Sequence, residues 1–185
     1  TGKVFAVTGT VGKTTTREMI RHIIDAHGGA TASKANNNNI SGVCRTLAYT
    51  PRNAAGSVIE MGFGKPLDGI QTATAIARPD IAIVTTIDVA HFDIFTPEML
   101  AESGGRELLC RHKAQIFSGL QPGGAAILNA DIPEFALLRN LALHHTDRVL
   151  GFGRSEGATA RMIELETDAT ASRLTVEVFG QRHSF

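Results

Sequence analysis

Apolar and polar positions follow two alternating rhythms along this chain. Short, nearly unbroken apolar runs recur at Val4-Phe5-Ala6-Val7, Ser57-Val58-Ile59-Glu60, Ile81 to Thr86, Ala125 to Asn129 and Arg148 to Phe152. Runs of this length, punctuated by Gly, Thr or Asp, predict strands buried on both faces of a parallel sheet. Gly29–Ser33 adds a shorter strand. Between the runs, apolar residues fall three and four positions apart. That spacing predicts helices at about Thr14–His27, Ile40–Tyr49, Leu67–Ala77, Pro97–Phe117 and Pro133–His144. In the first helix Met19, Ile20, Ile23 and Ile24 define the apolar face, and Gly28-Gly29 ends it. The tail changes rhythm. Arg161–Glu166 and Arg173–Val178 alternate polar and apolar residues around a turn at Thr167–Ser172. This predicts a peripheral antiparallel hairpin, with one wet face, within residues 154–185. Strands alternating with helices imply an α/β fold: a mostly parallel sheet flanked by helices on both faces.

Composition narrows the class. The 185 residues are 43% apolar and 19% charged, which suits one domain, residues 1–185, with its own core. Eighteen basic and eighteen acidic residues cancel, which argues against a nucleic-acid or membrane-surface partner. No apolar run is long enough to cross a bilayer. Cys44 and Cys110 form no C-x-x-C pair. They read as two buried thiols in a reducing cytoplasm rather than as a zinc or redox centre. The chain is in a strand-like run by Val4, which predicts a piece of a longer protein.

The strongest chemical signal is Thr8-Gly9-Thr10-Val11-Gly12-Lys13-Thr14-Thr15, placed between the first strand and the first helix. Glycines let the backbone turn so that successive N–H groups face an anion, and the helix N-terminus adds partial positive charge. Lys13 supplies a full charge for the β- and γ-phosphates, and the Thr14 hydroxyl can ligate Mg²⁺. Val7 occupies the position of the first glycine in the longer form of the phosphate loop, so the match is to the shorter G-x-x-G-K-T spacing. The loop predicts binding of ATP with Mg²⁺, in a P-loop NTPase-like fold.

That shorter loop resembles the one in Mur ligases and folylpolyglutamate synthases, and further segments follow in the same order. They are most similar to the Mur branch that adds D-alanyl-D-alanine in peptidoglycan synthesis. Asn36-Asn37-Asn38-Asn39-Ile40-Ser41-Gly42-Val43 resembles the family's asparagine-rich segment. Its amides, Asn36, Asn38 and Asn39 in particular, either orient substrate or cap the following helix. Val58-Ile59-Glu60-Met61-Gly62 resembles the segment with a strand-end glutamate, so Glu60 is expected on Mg²⁺. Ala90-His91 resembles a strand end whose histidine ligates a second magnesium. Phe92–Pro97 departs from the glycine-bearing segment usual there. Lys113, in Arg111–Phe117, is similar to a lysine that is carbamylated in many Mur ligases. Ala114 and Gln115 stand where Gly-Glu is common. Asn129-Ala130-Asp131 resembles the family's strand end at the adenine. Asn129 would meet the base edge, and Asp131 would lie near the nucleotide or cap the helix ahead of Pro133. Val11 stands where a polar residue is usual.

The resemblance implies the central ATP-binding domain of an ATP-dependent ligase that joins a carboxylate to an amine through an acyl phosphate. Lys13, His91 and Lys113 would be its catalytic residues. Small-molecule carboxylate and amine substrates, and N- and C-terminal domains of the same chain, would be its partners. A fragment of this kind is expected to bind nucleotide without turning over. Two alternatives stay open: a non-catalytic nucleotide-binding module, and another P-loop kinase or NTPase.

Overall fold

β1 (Lys3–Thr8) lies inside a sheet whose strands run in the order β2 (Ala30–Ala32), β3 (Gly56–Glu60), β1, β4 (Ile81–Val84), β5 (Ala125–Asn129), β6 (Arg148–Gly153), β7 (Ala160–Thr167), β8 (Ser172–Val178), β9 (Gln181–Ser184). This arrangement comes from a computed structural model, which describes residues 2–34, 37–62, 67–88 and 95–185, without the side chains of 101–103. Strands β2 to β6 pair in parallel, and β7 joins β6 through a short parallel contact. β7, β8 and β9 are antiparallel. The expected hairpin is therefore present, extended by one strand and continuous with the main sheet.

Alternation along each strand builds two cores. Ala6, Ile59, Ala82, Val84, Ala126 and Leu128 face one side. There they meet Val43 of α2 (Ile40–Tyr49), Ile70 of α3 (Gly69–Ala77), Leu109 of α5 (Gly105–Ala114) and Leu138 of α6 (Phe135–Leu143). Val7, Val58 and Ile83 face the other side, against Ile20 and Ile24 of α1 (Lys13–Asp25). Full burial of an Ile or Leu stabilises by about 1.5–3 kcal/mol, so the first face carries most of the apolar stabilisation. Helices flank both faces, as the sequence predicts, with α1 covering the second.

Three local expectations need correction. Met19 and Ile23 are each 63% exposed, because the inward stripe of α1 is Arg17, Ile20 and Ile24. The single helix expected over Pro97–Phe117 divides at Gly104, where φ is 66°, into α4 (Pro97–Ser103) and α5. A 3-10 turn at Gln115–Gly119 follows. Both cysteines are free, but only Cys110 is buried, and burial pushes its thiol up to about 12; Cys44 is exposed. Among the described residues no helix is long and apolar enough to cross a membrane.

Candidate functional site

The C-terminal ends of β3, β1 and β4 lie side by side. Val7 is in register with Glu60 on one flank, and Thr8 with Val84 on the other. The chain departs from β1 toward β3 and β2 and returns on the opposite side at β4, so this edge is a switch point of the kind that holds ligands in open α/β sheets. The phosphate loop leaves from it. Gly9 has φ 144°, and a Cβ there would overlap the Thr85 hydroxyl. Gly12, at φ 85°, turns the chain into α1. Two threonines beyond β4 brace the loop. The Thr85 hydroxyl donates to Val11 O (2.7 Å), the Thr86 hydroxyl accepts from Val11 N (3.1 Å), and Thr10 N donates to Thr86 O (2.8 Å). Gly9→Ala is expected to cost about 2 kcal/mol or more of stability, from positive-φ strain and the overlap, and to weaken nucleotide binding with it. Urea denaturation paired with calorimetry checks this.

Two amines meet on one carbonyl. Lys13 Nζ donates to Gly9 O (3.0 Å) and to Thr10 O (2.9 Å), and Lys113 Nζ donates to Gly9 O at 3.0 Å. Lys113 lies near the end of α5 and is 1% exposed, so the solvated surface lysine that its polar neighbours suggest is not what the fold contains. Burial lowers the Lys13 pKa, with the Glu60 carboxylate acting in the opposite direction. Burial, and secondarily the charge on Lys13, push Lys113 down to about 7.

The sign of the linkage is clear. The folded pKa of Lys113 is depressed below its ordinary 10.5, so between about pH 7 and 10.5 the unfolded chain holds more protons at this site. Stability from this group is therefore full above that window and is lost as pH falls through it, at up to about 1.4 kcal/mol per pH unit. Lys113→Met is expected to flatten the rise of the urea midpoint between neutral and alkaline pH.

Glu60, 3% exposed at the end of β3, is the carboxylate of the site. Its Oε2 accepts from Thr14 Oγ1 (2.9 Å) and Arg17 Nη1 (3.1 Å), and its Oε1 from Asn38 Nδ2 (3.2 Å). Gly62 N donates to Asn38 O (2.8 Å), which ties the asparagine segment to the strand end. Asn39 instead caps α2, its Oδ1 accepting from Gly42 N at 2.9 Å. The Thr14 hydroxyl and the Glu60 carboxylate are hard oxygen donors within 2.9 Å of each other, a set that fits Mg²⁺. Among the described residues no three His, Cys, Asp or Glu side chains form a metal cage.

The fold thus brings together Gly9, Thr10, Val11, Gly12, Lys13, Thr14, Asn38, Glu60 and Lys113, with Thr15 in the first turn of α1. Asn129 and Asp131 lie two strands away, at the same end of the sheet. Asn129 Oδ1 accepts from Asp131 N (2.9 Å). The Asp131 carboxylate does not cap α6. It accepts from Arg154 N, Ser155 N and Ser155 Oγ in the turn after β6, and these bonds hold its pKa below the usual carboxylate range. Asn36 and His91 lie outside the described residues, as do Ala90 and residues 92–94. Sequence reasoning missed Arg17, Thr85 and Thr86 as site residues. Arg17 had a signal: a charge three positions after Thr14, on the inward face of the helix. Beyond the asparagine segment a cleft of about 280 Å³ opens between Thr31, Lys34, Asn37, Arg45 and Tyr49.

Residues 7–185 match the family described as Mur ligase middle domain. The chain is 34% identical, over 72% of its length, to the UDP-N-acetylmuramoyl-tripeptide–D-alanyl-D-alanine ligase of Buchnera aphidicola subsp. Acyrthosiphon pisum, covering 28% of that protein. It is 32% identical, over 75% of its length, to the ligase of the same name from Bacillus subtilis, again covering 28% of it. A crystal structure of MurF from Acinetobacter baumannii superposes with TM-score 0.85 at 27% identity, over 99% of this chain and 37% of that one. The chain therefore spans well under half the length of these relatives.

Proposed function

The chain belongs to the Mur ligase family, through its middle domain, and on that premise we propose that it is the ATP-binding part of an amide-forming ligase. The observation that carries the reading is the convergence of Lys13, Lys113 and the Thr14–Glu60 pair on the Gly9–Thr14 loop at the switch point of the sheet. In this reading Lys13 leaves the Gly9 and Thr10 carbonyls for the β- and γ-phosphates, which offer full negative charge in place of partial charge. Loop N–H groups and the start of α1 cradle the remaining oxygens. Thr14 and Glu60 hold Mg²⁺, which when bound neutralises charge on the transferring phosphoryl group. Asn129 takes the adenine edge, with Asp131 shaping the adjoining turn. Asn36, Asn38 and Asn39 border the substrate side, and His91 serves a second magnesium.

A carboxylate oxygen of one substrate then bonds to the γ-phosphorus as the bond to the β-γ bridging oxygen breaks, giving an acyl phosphate and ADP. The nitrogen of an amine bonds to the acyl carbon, phosphate leaves, and the amine loses a proton. The chain's contribution is positioning and fixed charge. The depressed Lys113 pKa supports the carbamate as well. A neutral amine can bond to the carbon of CO₂ and shed a proton, and this leaves an anionic carbamate beside the phosphates in place of the amine. The similarity to the D-alanyl-D-alanine ligases favours a peptidoglycan precursor as the carboxylate and a dipeptide as the amine, in the cytoplasm, with N- and C-terminal domains completing the enzyme.

Val11 favours one other reading. It is 59% exposed on the loop, an aliphatic side chain where a polar one would reach phosphate, which suits a module that binds nucleotide without turnover. Phosphate release by the full-length protein separates the two. Release that requires both Mg²⁺–ATP and an amine supports the ligase. Tight nucleotide binding with no release supports the module. The isolated 185 residues are expected to bind nucleotide and release none.

A further inference from the structure

Glu60 is not an open carboxylate. Arg17 sits one turn beyond Thr14 on the same face of α1 and is 3% exposed. Its Nη1 lies 3.1 Å from Glu60 Oε2, and both side chains of this pair are almost wholly buried. The other side of the guanidinium faces outward, with Nη2 at 2.7 Å and Nε at 3.2 Å from Glu18 Oε1. Glu18 is half-exposed and is also held by Arg21 Nε at 2.8 Å. One planar fork therefore spans two carboxylates, a buried one in the site and a solvated one outside it.

Three consequences follow from chemistry. An ionised carboxylate offers about four acceptor positions, and Thr14, Arg17 and Asn38 already take three of those on Glu60. The fourth lies on Oε1, but a metal that also takes the Thr14 hydroxyl, which bonds Oε2, meets that oxygen and must share it with the guanidinium or displace it. Lys13 and Arg17 also set positive charge beside this single carboxylate, which opposes a bare divalent cation and favours one that arrives with polyphosphate oxygens. Finally, Arg17 can release Glu60 without becoming a stranded buried charge, because Glu18 remains its partner.

We propose that Arg17 is a resident counter-ion for Glu60, which positions the carboxylate before nucleotide arrives and competes with Mg²⁺ for it, so that metal is admitted together with nucleotide. The proposal rests on the reading of Glu60 as a metal ligand, and it makes Arg17 a positioning and metal-selecting residue.

The test is Mn²⁺ binding to the full-length protein, with and without ADP, followed by electron paramagnetic resonance of the free ion. Without nucleotide, Arg17→Met is expected to bind Mn²⁺ about tenfold more tightly than wild type, since a competing charge is gone. Arg17→Lys, which keeps the charge, should stay close to wild type. Arg17→Gln covers the case in which Arg17→Met does not fold, and it should show the same gain. Adding Glu60→Gln to either neutral variant should remove the gain. Wild-type Mn²⁺ affinity in a folded, ADP-binding Arg17→Gln protein would overturn the proposal, as would a gain in Arg17→Lys equal to that in Arg17→Gln. The underlying reading fails separately: Glu60→Gln alone would then leave Mn²⁺–ADP binding at its wild-type strength.

Discussion

Lys13→Ala is expected to lower the affinity of this chain for Mg²⁺–ATP by about a hundredfold. Among the described residues the Lys13 amine donates to the Gly9 and Thr10 carbonyls and to no carboxylate, so its removal costs the loop two bonds to neutral acceptors. Bound to phosphate it makes charge-assisted hydrogen bonds, each worth about 1.5–3 kcal/mol, and about 2.7 kcal/mol corresponds to a hundredfold. The loop N–H groups and the helix N-terminus remain, so weak binding persists. A secondary effect has a definite sign. Without the Lys13 charge, Lys113 is relieved of one of the two causes that depress it, and its pKa rises. Isothermal titration calorimetry measures the first effect, and undiminished affinity would place the nucleotide elsewhere.

Glu60→Gln in the full-length protein is expected to reduce kcat by about 10²–10³, the usual scale for losing one preorganised electrostatic contact to a developing charge. The substitution keeps the shape of the side chain, and Arg17 keeps Glu18 as a partner. The stability loss should therefore stay below the about 3–5 kcal/mol seen when a buried pair leaves a stranded charge. Steady-state kinetics at saturating Mg²⁺, with the circular dichroism melt as a control, gives both quantities. Retention of most of the wild-type kcat would remove Glu60 from the chemistry.

The parts of this structure that were legible in the sequence are those whose signals are local. The apolar run Ala125–Asn129 and the Asn39-capped helix Ile40–Tyr49 appear with the predicted bounds, since strand length and helix cap are written in adjacent residues. The phosphate loop was legible for the same reason, having glycines, lysine and threonine between a strand and a helix. The break at Gly104 was visible as Gly104-Gly105, but the flanking helical pattern outweighed it. β9, with the sequence Gln-Arg-His-Ser, has no apolar alternation and exists because β8 offers an edge to pair with. Met19 and Ile23 have the spacing of a core face, yet the second face of the sheet takes only Ile20 and Ile24. The burial of Lys113 depends on a loop at the far end of the sequence, and nothing in Gly105–Ala114 announces it. Resemblance, rather than periodicity, singled that lysine out.

The central claim is that the Gly9–Thr14 loop and the Glu60 strand end together form the nucleotide site. Amide chemical-shift mapping of this chain, titrated with Mg²⁺ and a non-hydrolysable ATP analogue, tests it most directly. The account predicts saturable shifts concentrated in residues 9–15 and 60–62, with a second set at 129–131. Shifts confined to the cleft lined by Lys34, Arg45 and Tyr49, with the loop amides unmoved, would contradict it.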